Sequence, residues 1–289
     1  MLSTAFLVHA VYLATGATAG LLSGLLGIGG GLVMVPALFV CFALAGMPAE
    51  AVPPLALGTS LTVVCLVSAL TSRENLRVGH LAGPFSTRMA VMAACLAVGV
   101  AAGAWASTQL PARDLLRLLG LFQIAIGMRM WLAATGAARQ PAGIGPDTAA
   151  QDRLCLPGAC TLLFVTGGVS SIGGVGGATL MTPYFTRAGI EYRQAAALST
   201  FFGCVVGAAG FVSYGLLARP VEPLPASIGY VSLPAVASMA LGSVLLVRVG
   251  AELSRRVSRA MLTRGFCCFL FASGLKLLLP LGLAGTGPA

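Results

Sequence analysis

The chain has 289 residues, of which 57% are hydrophobic and 9% charged, with 38 glycines and a mean hydropathy of +0.95. A soluble domain carries roughly 25% charged residues, so this composition excludes a soluble enzyme, a disordered tail and a nucleic-acid-binding domain. Basic residues outnumber acidic ones 17 to 8, a net charge of +9; they sit between apolar runs, where they set orientation and meet anionic headgroups.

In chain order the apolar runs are 4–27, 31–46, 55–72, 89–107, 115–135, 154–173, 177–188, 195–217, 227–247 and 262–283. Six have spanning length: 55–72, 89–107, 115–135, 195–217, 227–247 and 262–283. They are continuous rather than alternating, which argues for helices and against a β-barrel. The other four form two pairs, each a longer run, a glycine cluster and a short run. Residues 4–26 lack a basic flank and read as part of the mature protein, not a cleaved signal. Cys41, Cys65, Cys95, Cys160, Cys204, Cys267 and Cys268 lie in or beside apolar runs, without CxxC spacing, and read as small buried hydrophobes. His9 and His80 have no metal-ligand partner nearby. No metal and no cofactor is expected.

The chain repeats itself. Gly27-Ile-Gly-Gly-Gly-Leu-Val-Met-Val-Pro36 corresponds to Gly174-Val-Gly-Gly-Ala-Thr-Leu-Met-Thr-Pro183, an offset of 147. The same offset pairs Gly20 with Gly167 and Ser23 with Ser170. After a six-residue gap, Ala56-Leu-Gly-Thr59 aligns with Ala197-Leu-Ser-Thr200. The 147 offset then returns, matching Arg117 to Arg264, Gly127 to Gly274 and Arg129 to Lys276. The polar-enriched stretch 136–153 separates the two copies.

Arginine is uneven. Loops 72–88 and 248–264, the linker and the stretch 186–194 carry twelve arginines; 107–117 and 218–226 carry Arg113, Arg117 and Arg219. The basic loop is the second in one half and the third in the other, as an inverted repeat predicts. If 72–88 and 248–264 share the cytoplasmic side, the broken pair 154–173/177–188 enters and leaves on one side, and by symmetry so does 4–27/31–46. The expected fold is an all-α polytopic membrane protein of two inverted repeats, each a glycine-broken re-entrant helix pair plus three transmembrane helices. Repeat 1 is 1–135, the cytoplasmic linker 136–153 and repeat 2 154–289, with both termini extracytoplasmic. Broken pairs that cross fully are the alternative.

Each glycine in a helix costs about 1 kcal/mol, and unpaired backbone inside a bilayer persists only where protein buries it or water reaches it. The short arms starting near Gly31 and Gly177 present helix N-termini at membrane depth, where free N–H groups and the dipole favour an anion. Tight packing of small residues is the bland alternative. The candidate substrate-binding residues are Gly27, Gly29, Gly30, Gly31 and Ser23 in the first break and Ser170, Gly174, Gly176 and Gly177 in the second. Thr59, Ser60 and Thr200 join them from the following spans, although such hydroxyls often bond to their own helix. Arg129 and Lys276, aligned between the copies, are candidates to attract the anion, with snorkelling to the interface as the plainer reading. No Asp or Glu falls mid-span, so a carboxylate proton relay has no visible residue.

The stretch GLLSGLLGIGGGLVMVPAL, its copy GGVSSIGGVGGATLMTPYF, and the following ALGTS and ALST segments resemble the TauE/SafE (sulfite exporter) family of membrane permeases over nearly the whole chain. The motif positions are Gly27, Gly29, Gly30, Gly31 and Pro36, then Gly174, Gly176, Gly177 and Pro183, with Thr59 and Thr200. The second copy departs from the first at Ala178 and Phe201. The resemblance implies transport of sulfite, organosulfonates or related sulfur anions across a bacterial inner membrane. Expected partners are a small anion and the lipid bilayer; a coupling ion such as a proton and a homo-oligomer stay open. An anion channel of the same fold and a non-transporting membrane assembly protein are the competing readings. An intramembrane enzyme is not expected, because no Ser/His or Cys/His pair and no HExxH lies in the spans.

Overall fold

A computed structural model describes residues 2–26, 30–77, 87–134, 157–220, 224–253 and 259–279. Gly27, Gly29 and the linker 136–153 lie outside the described residues. Ten α-helices fill the rest: α1 Leu2–Leu26, α2 Gly31–Leu44, α3 Val52–Arg77, α4 Thr87–Gln109, α5 Ala112–Ala134, α6 Pro157–Gly173, α7 Ala178–Arg187, α8 Tyr192–Phe211, α9 Leu233–Leu253 and α10 Arg259–Leu278. Two residue-pair strands, β1 Ser227–Ile228 and β2 Val231–Ser232, form a small antiparallel hairpin before α9. Seven helices are long and apolar enough to cross a membrane: α1, α3, α4, α5, α8, α9 and α10.

The additional spanning-length helix is α1, which the run lengths assigned to one arm of a broken pair. It continues through Gly16, Gly20 and Gly24 because these glycines do not stand alone. A methyl group on Gly20 would overlap the Ser243 backbone of α9, and Ser243 Oγ donates to the Gly16 carbonyl at 2.8 Å. The glycines let two helices approach closely, and the tertiary contact outweighs their poor helix propensity. Pro residues stand where helices tolerate them: Pro53, Pro157 and Pro234 lie in first turns. Pro36 and Pro183 instead lie inside the short arms, each five positions after the arm's first residue.

The broadest helix pairings are α1 with α9, α4 with α6, α5 with α10 and α3 with α8. Each joins the two halves of the chain. When α1–α5 are matched in order to α6–α10, α1–α9 is the counterpart of α4–α6, and the other two pairs are their own counterparts. Close approaches set the directions. Gly16 and Gly20 of α1 meet Met239 and Ser243 of α9, so that pair is parallel; Gly99 and Gly103 of α4 meet Phe164 and Gly168 of α6, again parallel. Gly203, Gly207 and Gly210 of α8 meet Ser68, Cys65 and Leu61 of α3, an antiparallel pair, and Gly120 and Gly127 of α5 meet Gly274 and Leu270 of α10 likewise.

Arg248 near the end of α9 reaches Glu74 near the end of α3 at 3.9 Å, so those helices also run together. The helix α2 runs back along α1: Gly30 lies against Ala19, and the Phe42 and Tyr12 rings meet edge-on at 6.1 Å. Since α1 and α3 run the same way, the α1–α2 pair starts and ends at one end of the bundle. Ser107 of α4 meets Tyr214, just past α8, so α4, α6 and α8 share the opposite direction, and the α6–α7 pair starts and ends at the other end. That second end carries Arg73, Arg77, Arg193, Arg248 and Arg264; the first carries Arg113, Arg117 and Arg219.

The core is apolar and continuous, running from Leu32, Val35 and Leu38 of α2 through Leu55–Leu57 of α3 to Phe185 and Phe202. The outer faces carry large exposed apolar side chains, among them Val98, Trp105, Leu121 and Leu245. On a protein in water such a surface would aggregate; on a bundle of spanning-length helices it meets lipid.

Candidate functional site

The two glycine breaks touch. Gly31, the first residue of α2, packs on the turn between α6 and α7: a methyl group there would sit 2.5 Å from the Gly174 carbonyl oxygen and 2.9 Å from Val175 Cα. Gly174 and Gly177 adopt φ values of +63° and +71°, a region that L side chains rarely enter, so the turn needs glycine at both places. Ser60 donates its hydroxyl to the Gly174 carbonyl at 2.9 Å, joining α3 to the second break.

Neither short arm has a side-chain cap. Gly30 is the N-cap of α2 and Gly177 that of α7; a glycine offers no side-chain oxygen, and neither makes a side-chain cap hydrogen bond. Each N-terminus carries about half a positive charge. Beside Gly177 lies Ser170, fully buried, whose Oγ has no hydrogen-bond partner among the described residues; Ser171 Oγ is in the same condition.

A cavity of about 220 Å³ extends from the breaks. Gly30 and Gly176 form its floor; Ala19, Gly20, Ser23 and Gly24 of α1, Val64, Val67, Ser68 and Thr71 of α3, Thr200 of α8, and Ser243 and Val247 of α9 are walls, with Met34. From mid-helix positions at Val64 and Ser243 the walls continue through Ser23, Gly24, Thr71 and Val247 toward the end of the bundle where α3 and α9 end. Exposure rises along them: Gly30, Val64 and Gly176 are buried, whereas Ser23, Gly24, Val67, Ser68, Thr71 and Val247 are half-buried.

None of these lining residues is charged. Three hydroxyls are engaged with helix carbonyls: Thr71 with Val67 at 2.9 Å, Thr200 with Ala196 at 2.8 Å and Ser243 with Gly16 at 2.8 Å. The hydroxyls of Ser23 and Ser68 make no hydrogen bond to a described residue and can donate into the cavity. Among the described residues no group of three or more His, Cys, Asp or Glu could hold a metal ion.

Of the residues expected from the sequence, Ser23, Gly30, Gly176 and Thr200 line the cavity, and Gly31, Gly174, Gly177, Ser170 and Ser60 surround its floor. Thr59, the partner of Thr200 in the repeat, does not reach it: its Oγ1 accepts from the Ser232 N–H of β2 at 3.0 Å and is fully buried. Arg129 and Lys276 stand exposed on α5 and α10, away from the cavity and on helices that run in opposite directions. Gly27 and Gly29 lie outside the described residues. Sequence reasoning missed Ser68, Thr71 and Ser243. Their only signal is helical spacing, Ser68 and Thr71 being three apart on one face, and hydroxyls of that kind usually bond to their own helix.

Residues 12–277 match the family model described as Sulfite exporter TauE/SafE. The chain belongs to the TauE/SafE family of membrane transporters. A Haemophilus influenzae protein named "Probable membrane transporter protein" is 26% identical over 276 residues, covering 92% of this chain and 97% of that protein. A second protein of that description, from Methanocaldococcus jannaschii, is 26% identical over 260 residues, 90% of this chain and 91% of its own length. No solved structure matches. This TauE/SafE chain is thus a multi-pass membrane protein of a transporter family, not of an enzyme family.

Proposed function

We propose that this TauE/SafE protein is a secondary transporter of a small sulfur-containing anion such as sulfite or an organosulfonate. The observation that carries the proposal is the meeting of two uncapped helix N-termini at one uncharged cavity. There the helix dipoles and free N–H groups supply the positive potential, and Ser23 and Ser68 supply hydroxyl donors. An anion held without a lysine or arginine forgoes the strongest charge-assisted hydrogen bonds, which suits a carrier that must release its cargo. The apolar walls from Val64, Val67 and Val247 suit a small organic group beside the charged head.

Alternating access follows from the two halves acting as inverted repeats. The antiparallel runs of α3 with α8 and α5 with α10 support that relation, as does the exchange of α1–α9 for α4–α6. In this reading the arginine-rich end is cytoplasmic, both termini are extracytoplasmic, residues 1–135 and 154–289 are the repeats, and both broken pairs are re-entrant in a bacterial inner membrane. A proton or the membrane potential drives the cycle.

The test is flux of labelled sulfite and of a small sulfonate in proteoliposomes, for the native chain and for Gly30→Leu/Gly176→Leu. Saturable flux that the double substitution abolishes is the expected result. Flux untouched by it moves the site elsewhere. Flux that does not saturate favours an anion channel of the same fold, and none in folded protein removes the substrate class.

A further inference from the structure

The two ends of the bundle are not equivalent. At the arginine-rich end the cavity walls are half-buried. Toward the other end stands Tyr214, the bulkiest of the fully buried side chains. We infer that Tyr214 is the gate residue of this carrier, the group that holds the arginine-poor end shut while the cavity faces the arginine-rich end.

Tyr214 belongs to a six-residue π-helical turn, Val212–Leu217, which ends the long α8 run. Such widened turns are uncommon and occur often at functional sites. The tyrosine oxygen lies 2.5 Å from Ser107 Oγ of α4 and 3.4 Å from the Ser171 carbonyl of α6. Ser107 gives its own proton to the Ala104 carbonyl at 2.7 Å, so the tyrosine proton goes to Ser107, with Ser171 as the longer acceptor.

The backbone of the turn carries the outer hairpin. The Tyr230 N–H donates to the Tyr214 carbonyl at 2.8 Å, and the hairpin's Ser232 N–H donates to Thr59 of α3. Gly58 lets both approach: a Cβ there would overlap the Tyr230 carbonyl oxygen and lie 2.7 Å from Tyr214 Cβ. Tyr214 therefore ties α4 and α6 to the α8 run through its hydroxyl, and the hairpin through its carbonyl.

Ser171 sits at the second break, three residues before Gly174. A change at the breaks when an anion enters or leaves has a direct route through Ser171 to Tyr214. The repeat also explains why the two ends differ. At the six-residue-gapped offset of 141 residues, Tyr214 corresponds to Arg73, and Ala209 and Val212 correspond to the cavity residues Ser68 and Thr71. The hydroxyl wall exists on one side and the buried tyrosine on the other. This inference rests on the transport reading for its purpose, but its geometry does not depend on which anion moves.

The test is sidedness of access. Ser68→Cys, placed in a chain whose native cysteines are replaced by Ala, is labelled by a membrane-impermeant maleimide applied to one face of oriented vesicles at a time. With Tyr214 present, labelling is expected from the arginine-rich face. Tyr214→Phe removes only the hydroxyl and should raise labelling from the opposite face about fivefold, the population change that losing one hydrogen bond of about 1 kcal/mol produces. Ser107→Ala should move access the same way while leaving the tyrosine ring in place. Equal labelling from both faces in the parent, or no change in sidedness in either folded variant, overturns the inference. Labelling needs no substrate, so a protein that carries no sulfur anion yet shows the shift loses the substrate proposal and keeps the gate.

Discussion

Gly31 and Gly174, 143 positions apart in the chain, are in backbone contact: nothing larger than hydrogen fits between the first residue of α2 and the Gly174 carbonyl. Two breaks that would each be a weakness in an isolated helix support one another, and their helix N-termini converge beside a cavity in the middle of the bundle.

Gly31→Ala tests that contact. The added methyl meets backbone rather than a flexible side chain, so the arm must shift, at a cost of about 1–3 kcal/mol. A lowered thermal midpoint in detergent and at least about a tenfold loss of flux are expected. A variant with native midpoint and native flux would show that the two breaks need not touch.

Ser60 should prove structural rather than a ligand. Ser60→Ala leaves the buried Gly174 carbonyl without its hydroxyl donor, which destabilises by about 1 kcal/mol. Thermal unfolding should report the loss, while KM for the transported anion stays near native. A large rise in KM at unchanged stability contradicts this assignment.

Thr59 and Thr200 occupy matching positions in the repeat but do different work here. Thr59→Val removes the acceptor of the Ser232 N–H and should loosen the hairpin, seen as faster amide exchange at Ser232. Thr200→Val alters a cavity wall and should change KM with little effect on that exchange. Equal behaviour of the two variants would restore the symmetric reading.

Lys276→Gln should leave KM within about twofold of native, because exposed substitutions away from a site change little. The aligned cations carry two readings from the sequence, a shared anion attractor and snorkelling to the headgroups, and exposed positions on α5 and α10 suit the second. A tenfold rise in KM would return Lys276 to the binding site.

No described lining residue titrates near neutrality. A sulfonate, ionised throughout, should therefore bind with one Kd from about pH 6 to 8. Isothermal titration across that range checks this; a Kd that climbs with pH would reveal a protonated group at the cavity.

Much of this protein was decided along the chain itself. Long apolar runs, glycine clusters and the 147-residue offset are local or self-comparing features, and they led to an all-helical membrane bundle with two broken pairs and to the TauE/SafE family. Whether a glycine breaks a helix is not local. Gly16 and Gly20 stay helical because α9 packs on them, and the run 227–247 opens with a hairpin because Ser232 finds Thr59 across the bundle. Equivalence within the repeat was equally blind to packing: Thr59 and Thr200 match in sequence, yet one is bonded to the hairpin and the other faces the cavity. Ser68 and Ser243 look like ordinary membrane-helix hydroxyls until α1, α3 and α9 are brought together. Hydropathy records where a segment is stable; only the tertiary contacts decide which polar atoms are left to meet a ligand.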